Sequence, residues 1–265
     1  MQPATAYNPT DFDSSTFELT PIHELVNTNW GEEILFTNDS PYAGKELHID
    51  EGQILAQHVS DRYRVFYLRD GDVVFEVEDR DGNIHELRAI TGVGYRMQNG
   101  QIFGIRSNSY SRIVEAYMPF PSEEEIDRAK FSVTTYVKRV EKPWGYELHL
   151  AEPNDPLMTK ILHIDEGKRL SEQVHNEKEE THLNVGGTGQ VVRDNMNLVA
   201  TTTKLESDHG YRTHVGQKHR LGALEGGADI LEISTPESGT TWRLADDFAR
   251  PDETPEQRKI ERGEV

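Results

Sequence analysis

The chain repeats itself, and that repetition limits its fold more than any other feature. Asn29-Trp30-Gly31-Glu32-Glu33 returns as Pro143-Trp144-Gly145-Tyr146-Glu147, and the pentapeptide HIDEG stands at 48–52 and again at 163–167. Gly94-Tyr95-Arg96 returns as Gly210-Tyr211-Arg212, and Gly100-Gln101 as Gly216-Gln217. The copies are offset by 114, 115 and 116 residues, in order along the chain. Four ordered matches at a nearly constant offset mark a tandem duplication. The repeats span about 29–118 and 142–236, so the 265 residues divide into two small domains.

Each repeat reads as β structure. From Asp72 to Glu78, Val73, Phe75 and Val77 fall on one face, and Tyr63 to Leu68 and Thr159 to Ile164 are similar short runs. Asp70-Gly71, Asp81-Gly82 and Gly186-Gly187 supply turn signals between such runs. Many short strands with glycine turns predict a sandwich or barrel. One helix is expected between the repeats, where Ser122-Glu123-Glu124-Glu125 forms a capping box ahead of Ile126 to Lys130. The tail beyond Arg250 is charged and punctuated by proline, which predicts a short helix or disorder.

Charge and composition exclude several roles. The net charge is −19, from 47 acidic against 28 basic residues. A nucleic-acid surface needs Lys and Arg to meet phosphates, and an anionic membrane makes the same demand. Neither partner is expected. The chain has no cysteine, so disulfides and thiolate ligands are excluded. The N-terminal stretch lacks a basic region and an apolar core, so it does not read as a signal peptide. No apolar run approaches the roughly 18 residues that span a bilayer. A cytoplasmic location is expected.

The second repeat concentrates chemistry in Gln173-Val174-His175-Asn176-Glu177-Lys178-Glu179-Glu180-Thr181-His182. Residues two apart on a strand share a face. Gln173 pairs with His175 in this way, and Glu180 with His182 on the next strand after a tight turn. His219 follows in Gly216-Gln217-Lys218-His219-Arg220. Imidazoles and a carboxylate on rigid strands suit Zn, Mn, Fe, Ni or Co, and an amide oxygen can complete the set. A single strand histidine is usually a surface group or a satisfied core group, so the weight lies on the combination.

The stretch from Lys142 to Arg250 resembles the cupin domain of type II phosphomannose isomerases and the small cupins similar to them. The residues that carry the resemblance are Lys142 to Glu147 (KPWGYE), Lys160 to Gln173 (KILHIDEGKRLSEQ) and Gly187-Thr188. Lys218 to Leu221 (KHRL), Leu231 to Glu237 (LEISTPE) and Trp242 to Arg250 (WRLADDFAR) complete the match. The resemblance implies an all-β chain of two tandem cupin (double-stranded β-helix, or jelly-roll) barrels joined by a short helix. The expected layout is an N-terminal extension at 1–28 and a degenerate barrel without metal at 29–120. A helical linker and entry strand follow at 121–141, a metal-binding barrel at 142–250 and a charged tail at 251–265.

Position by position, the resemblance implies Gln173, His175, Glu180 and His219 as ligands of one divalent transition metal, with Zn or Mn favoured. His182 departs from the family, which often has an aromatic residue there. It is read as a pocket residue, a proton shuttle or an alternate ligand. The first repeat keeps His58 opposite Gln173, but Ser60 replaces His175, Arg64 or Val65 stands near the Glu180 position, and Phe103 replaces His219. A structural role is expected for it, with a rebuilt pocket for another ligand as the alternative.

The resemblance implies aldose–ketose isomerisation of a sugar or sugar phosphate. A divalent ion would polarise the carbonyl and its neighbouring hydroxyl while a base moves the proton. Lys160, Arg169, Lys178, Arg212 and Arg220 are the basic candidates. Lys160 and Arg220 are expected to point into the pocket and, with His182, to be catalytic, while Glu147 and Glu232 are weaker bases. Trp30 and Trp144 open both repeats alike and read as packing residues.

Two other functions stay open. One is an Fe or Mn bicupin oxygenase, which a two-His, one-carboxylate set also supports. The other is a non-catalytic carbohydrate or sugar-nucleotide binding protein. The family's longer members often carry a nucleotidyltransferase domain where this chain has its first repeat, so mannose 6-phosphate itself does not follow. No P-loop and no dinucleotide fingerprint occur. The expected partner is a small molecule, and the expected state a monomer or homodimer.

Overall fold

The structure, a computed structural model, describes residues 7–38, 41–79, 81–120 and 133–262. The chain forms two tandem β-barrels of the cupin type. It divides into two compact units, one of residues 22–140 and 147–161, the other of 1–21, 141–146 and 162–265. The expected linker helix at Ser122 to Lys130 lies outside the described residues.

The first barrel is built from β1 (Glu24–Asn27), β2 (Gly31–Thr37), β3 (Ala43–Ile49), β4 (Ile54–Val59), β5 (Arg64–Asp70), β6 (Val73–Glu78), β7 (Ile84–Arg88), β8 (Gly94–Met97), β9 (Ile102–Ser107), β10 (Ser111–Tyr117) and β11 (Thr134–Tyr136). They form a seven-stranded sheet, β1-β2-β3-β10-β5-β8-β11, and a four-stranded sheet, β4-β9-β6-β7. Alternation decides what each strand buries. Leu47 and Ile49 of β3, Phe66 and Leu68 of β5, Val73, Phe75 and Val77 of β6, and Phe103 and Ile105 of β9 meet in one core. Each such side chain contributes roughly 1.5–3 kcal/mol by leaving water.

The second barrel uses β12 (Lys138–Lys142), β13 (Gly145–His149), β14 (Met158–Ile164), β15 (Glu172–His175), β16 (Glu180–Asp194), β17 (Ala200–Lys204), β18 (Gly210–Thr213), β19 (His219–Ser234) and β20 (Thr241–Ala245). The path β12-β13-β14-β19-β15-β20 is closed by β16, which pairs with β17, β18 and β19. Antiparallel pairing of β16 with β19 runs from Glu180↔Ser234 to Arg193↔His219. Trp144, Leu162, Ile164, Val191, Leu221 and Ile230 lie in its core, which agrees with a packing role for Trp144.

Gly186-Gly187 is not a turn, as the sequence suggested, but an irregularity inside β16. The register shifts on both sides of it, and Gly187 sits at φ 64°. A Cβ there would run into the carbonyl of Gly227 on β19. The two glycines let one long strand bend instead of ending it.

Segments outside the repeats also have places. Phe17 is buried and stacks on His214, with ring centroids 6.4 Å apart. The carbonyl of Leu19 accepts a hydrogen bond from the Arg193 guanidinium at 3.0 Å. The tail forms helix α1 (Pro255–Arg262). It starts with a capping box in which the Gln257 amide N–H donates to Thr254 Oγ1 at 3.3 Å and the Thr254 N–H donates to Gln257 Oε1 at 2.8 Å. Proline at the first helical position costs nothing there, because its missing N–H would have no partner anyway.

Candidate metal centre

Two strands joined by a short turn, β15 and β16, and the more distant β19 bring the site together. β15 lies between β19 and β20, so that Gln173 stands opposite His219 and His175 opposite Thr241. The turn after β15 is latched to the loop before β20, where Asn176 Oδ1 accepts the Thr240 N–H at 2.6 Å. Glu179 N–H donates to Thr235 Oγ1 at 3.1 Å. β16 then begins at Glu180, and both β15 and β16 pair with β19. Glu180, His175 and His219 are all nearly inaccessible to solvent.

The ring orientations fix the protonation pattern. His219 Nδ1 lies 3.1 Å from the carbonyl oxygen of Gln217. A carbonyl can only accept, so this nitrogen carries a proton and Nε2 is the atom turned toward the site. That Nε2 lies 2.7 Å from Glu180 Oε1. Thr241 Oγ1 holds His175 Nδ1 at 3.0 Å, which turns His175 Nε2 to 3.4 Å from Glu180 Oε2. Burial pushes the His175 imidazole below its ordinary value, favouring the neutral form a metal requires. The Nε2 atoms of both imidazoles thus converge on one buried carboxylate. Ligand atoms of His175, Glu180 and His219 all lie within 4.8 Å of one another.

Gln173 closes the group. Its amide nitrogen lies 3.4 Å from His175 Nε2 and 3.2 Å from His219 Nε2, while Ser171 Oγ donates to Oε1 at 2.9 Å. An amide can present either end. As placed, its NH₂ donates toward the imidazole lone pairs. Turned over, it offers Oε1 to a metal and the NH₂ to the Ser171 hydroxyl. The donor set of two imidazoles, one carboxylate and one amide oxygen fits a divalent transition metal.

A second charged group adjoins it. Lys178 Nζ lies 2.6 Å from Glu232 Oε1 and 2.9 Å from Glu180 Oε2. Burial opposes its charge, but Glu180 and Glu232 hold the ammonium well above its ordinary value. Burial likewise opposes ionisation of Glu180, and the Lys178 ammonium leads the charges that overcome it, keeping that carboxyl well below the usual carboxylate range. Glu180, His182 and Glu232 form another set of converging ligand atoms, and the Lys178 ammonium already supplies the cation between its two carboxylates. His182 is fully buried, neither ring nitrogen is hydrogen-bonded among the described residues, and its Nε2 is 3.4 Å from Glu180 Oε1.

Gln173, His175, Glu180, His182 and His219 are thus brought together. Arg220 is not with them. It follows His219 on β19 and so faces the other way, where Nε donates to the Leu170 carbonyl at 2.7 Å and Nη2 meets Asp247 at 2.8 Å. Arg169 pairs with Asp247 and Arg212 with Glu179. Lys160 is buried on β14, on the face that carries Leu162 and Ile164, and the cation against Glu180 is Lys178. No pattern of residues marked Thr241 or Ser171 as partners of the site. Gln217 was visible as part of the repeated Gly-Gln pair, though not as the orienter of His219.

No protein-family model matches the chain, and no curated protein does. Similar solved structures exist. A structure described by the Mn(II) centres of Bacillus subtilis oxalate decarboxylase matches with TM-score 0.66 at 10% identity, covering 88% of this chain and 78% of that one. Lactobacillus farciminis oxalate decarboxylase, in a formate complex, matches with TM-score 0.66 at 12% identity, covering 94% and 89%. At these identities the likeness is one of fold, and it supports the tandem barrels directly.

Proposed function

We propose that the chain is a metal-dependent bicupin enzyme whose second barrel holds one divalent ion, Mn or Fe by preference, on His175, Glu180 and His219 with Gln173 as fourth ligand. Its substrate is a small oxygen-rich molecule, with short organic acids first in line. The observation that carries this reading is the convergence of the His175 and His219 Nε2 atoms, with Gln173 beside them, on one buried carboxylate. The choice of metal and of acids draws on the oxalate decarboxylases of like fold, one with Mn(II) centres and one bound to formate. That likeness supports the Mn or Fe bicupin reading over the isomerase reading.

When bound, the ion supplies Lewis acidity and, for Mn or Fe, access to a second oxidation state. The residues of the chain do the rest. Thr241 and the Gln217 carbonyl aim the two imidazoles. Lys178 keeps Glu180 ionised and so available as a ligand. Glu232, held by Lys178, and His182 are the groups placed to hold or move a proton beside the centre. That same buried group favours one second reading, aldose–ketose isomerisation, because this reaction needs a base next to the metal.

Elemental mass spectrometry on the native protein and on His175→Ala and His219→Ala tests the centre. About one Mn or Fe per chain, lost in both variants, is expected. Native protein that stays metal-free after incubation with Mn, Fe, Zn, Ni and Co would sink both readings. The metal-loaded enzyme is then offered oxalate and other short acids, with CO₂ release and O₂ uptake followed, and aldoses with exchange into D₂O followed by NMR. Turnover of acids supports the first reading, and turnover of aldoses alone replaces it with the second.

A further inference from the structure

The first barrel holds a cavity of about 250 Å³, at the position the metal centre occupies in the second. The register shows the equivalence. His58 stands opposite Phe103 between β4 and β9, as Gln173 stands opposite His219. Arg64 opposes Tyr117 between β5 and β10, as Glu180 opposes Ser234. Arg64 therefore takes the place of Glu180, Phe66 that of His182, Phe103 that of His219 and Glu115 that of Glu232. The metal-binding pattern has been rewritten, yet the space has not been filled.

The cavity is lined at one part by Glu33, Lys45, Arg64 and Glu115 and at another by aromatic and aliphatic side chains, Phe66 and Phe103 among them. Lys45 Nζ lies 2.9 Å from Glu33 and 3.5 Å from Glu115. The Arg64 guanidinium pairs with Glu115, receives support from Ser60 Oγ at 3.0 Å and lies 6.0 Å from the centre of the Phe103 ring. Lys45 stays charged despite its burial, because Glu115 and Glu33 hold it above its ordinary value. Enclosed ion pairs of this kind are a poor way to stabilise a core, since packed hydrophobic residues usually do better. Four charged groups kept around an unfilled space, with an apolar wall beside them, make a small-molecule site.

The charges also choose the ligand. Two cations and two carboxylates cancel, so the site offers no net attraction to an ion. An incoming carboxylate would compete with Glu33 and Glu115 for the same ammonium and guanidinium. Hydroxyl groups face no such conflict, because each can accept from Lys45 or Arg64 and donate to Glu33 or Glu115 without parting them. The C–H face of a compact ring suits Phe66 and Phe103. The volume falls below the ~300–1,000 Å³ of pockets for drug-sized ligands, which limits the guest to one small ring or chain. We infer that the first barrel is a metal-independent binding site for a small, uncharged polyhydroxylated molecule of monosaccharide size, held between Lys45, Arg64, Glu33 and Glu115 and the aromatic wall.

Saturation-transfer NMR on the full-length protein tests this. D-glucose, D-mannose, D-ribose and myo-inositol serve as neutral probes, and acetate, pyruvate and benzoate as anions, each with and without EDTA. Transfer to at least one neutral probe, unchanged by EDTA, is expected. It should weaken at least tenfold in Leu55→Trp, which fills the cavity, and severalfold in Glu33→Gln, which removes one acceptor charge. If Leu55→Trp loses the native circular dichroism spectrum, Glu33→Gln decides alone. No transfer to any neutral probe, transfer to anions only, or transfer that EDTA abolishes or that the folded variants leave unchanged would each overturn the inference.

Discussion

At the scale of single residues, the second barrel shows how a candidate ligand is aimed by a neighbour that the sequence does not mark. Thr241 bonds His175 Nδ1 at 3.0 Å, 66 positions further along the chain. Thr241→Val keeps the shape and removes that bond. Metal affinity should fall about 10- to 100-fold with an unchanged circular dichroism spectrum, as for other outer partners of ligating histidines, and competition with a fluorescent chelator measures it. Strand period made Gln173 with His175, and Glu180 with His182, legible as face-sharing pairs, while the candidate ligand set with His219 came only with the family resemblance. Arg220 was misread because adjacency to a ligand was taken as proximity to the site, whereas on a strand it means the opposite face. Its partner Asp247, exposed beside Arg169 and Arg220, is held from 3.8 down to about 2 by those two guanidinium groups. A carboxylate depressed in the folded state stabilises it above the unfolded value and ceases to do so as pH falls through the folded one. The difference in Tm between native protein and Asp247→Asn should therefore be full above pH ~5, shrink as pH falls, and vanish below pH ~2.

At the scale of elements, strands were legible where apolar residues alternate, as in β6, and illegible where glycine changes its meaning. Two adjacent glycines read as a turn, but β16 uses them to bend while remaining paired with β19. Gly187→Val would force a branched side chain to φ 64° and against the Gly227 carbonyl. A loss of at least about 1–3 kcal/mol follows from the backbone strain alone, measurable by urea denaturation. The N-terminal segment was read only as an extension. Phe17 on His214 and Leu19 on Arg193 tie it to the second barrel's unit, contacts between residues so distant in sequence that no local pattern announces them.

At the scale of the molecule, the duplication was the most legible feature of all, since two copies of one sequence carry the information of a small alignment. What they share is backbone geometry. Gly31 and Gly145 hold the same φ, 141° and 144°, each against the carbonyl of the first residue of a HIDEG motif. What they do not share is chemistry. The two units should accordingly answer differently to metal. A ligand at 100 times its Kd adds about 2.7 kcal/mol to the unit that binds it. Scanning calorimetry with and without EDTA should shift one transition, that of the unit containing 162–265, and leave the other in place. His175→Ala should abolish the shift. A common shift of all unfolding would mean that the units melt as one. The replacement of Glu180 by Arg64 then has a consequence for supply. A metal centre depends on what the surroundings provide, and it can be starved, stripped or oxidised. A guanidinium is encoded in the chain, present from synthesis and indifferent to scarcity. On the proposed reading, one pocket of this protein is contingent on its environment and the other is always furnished.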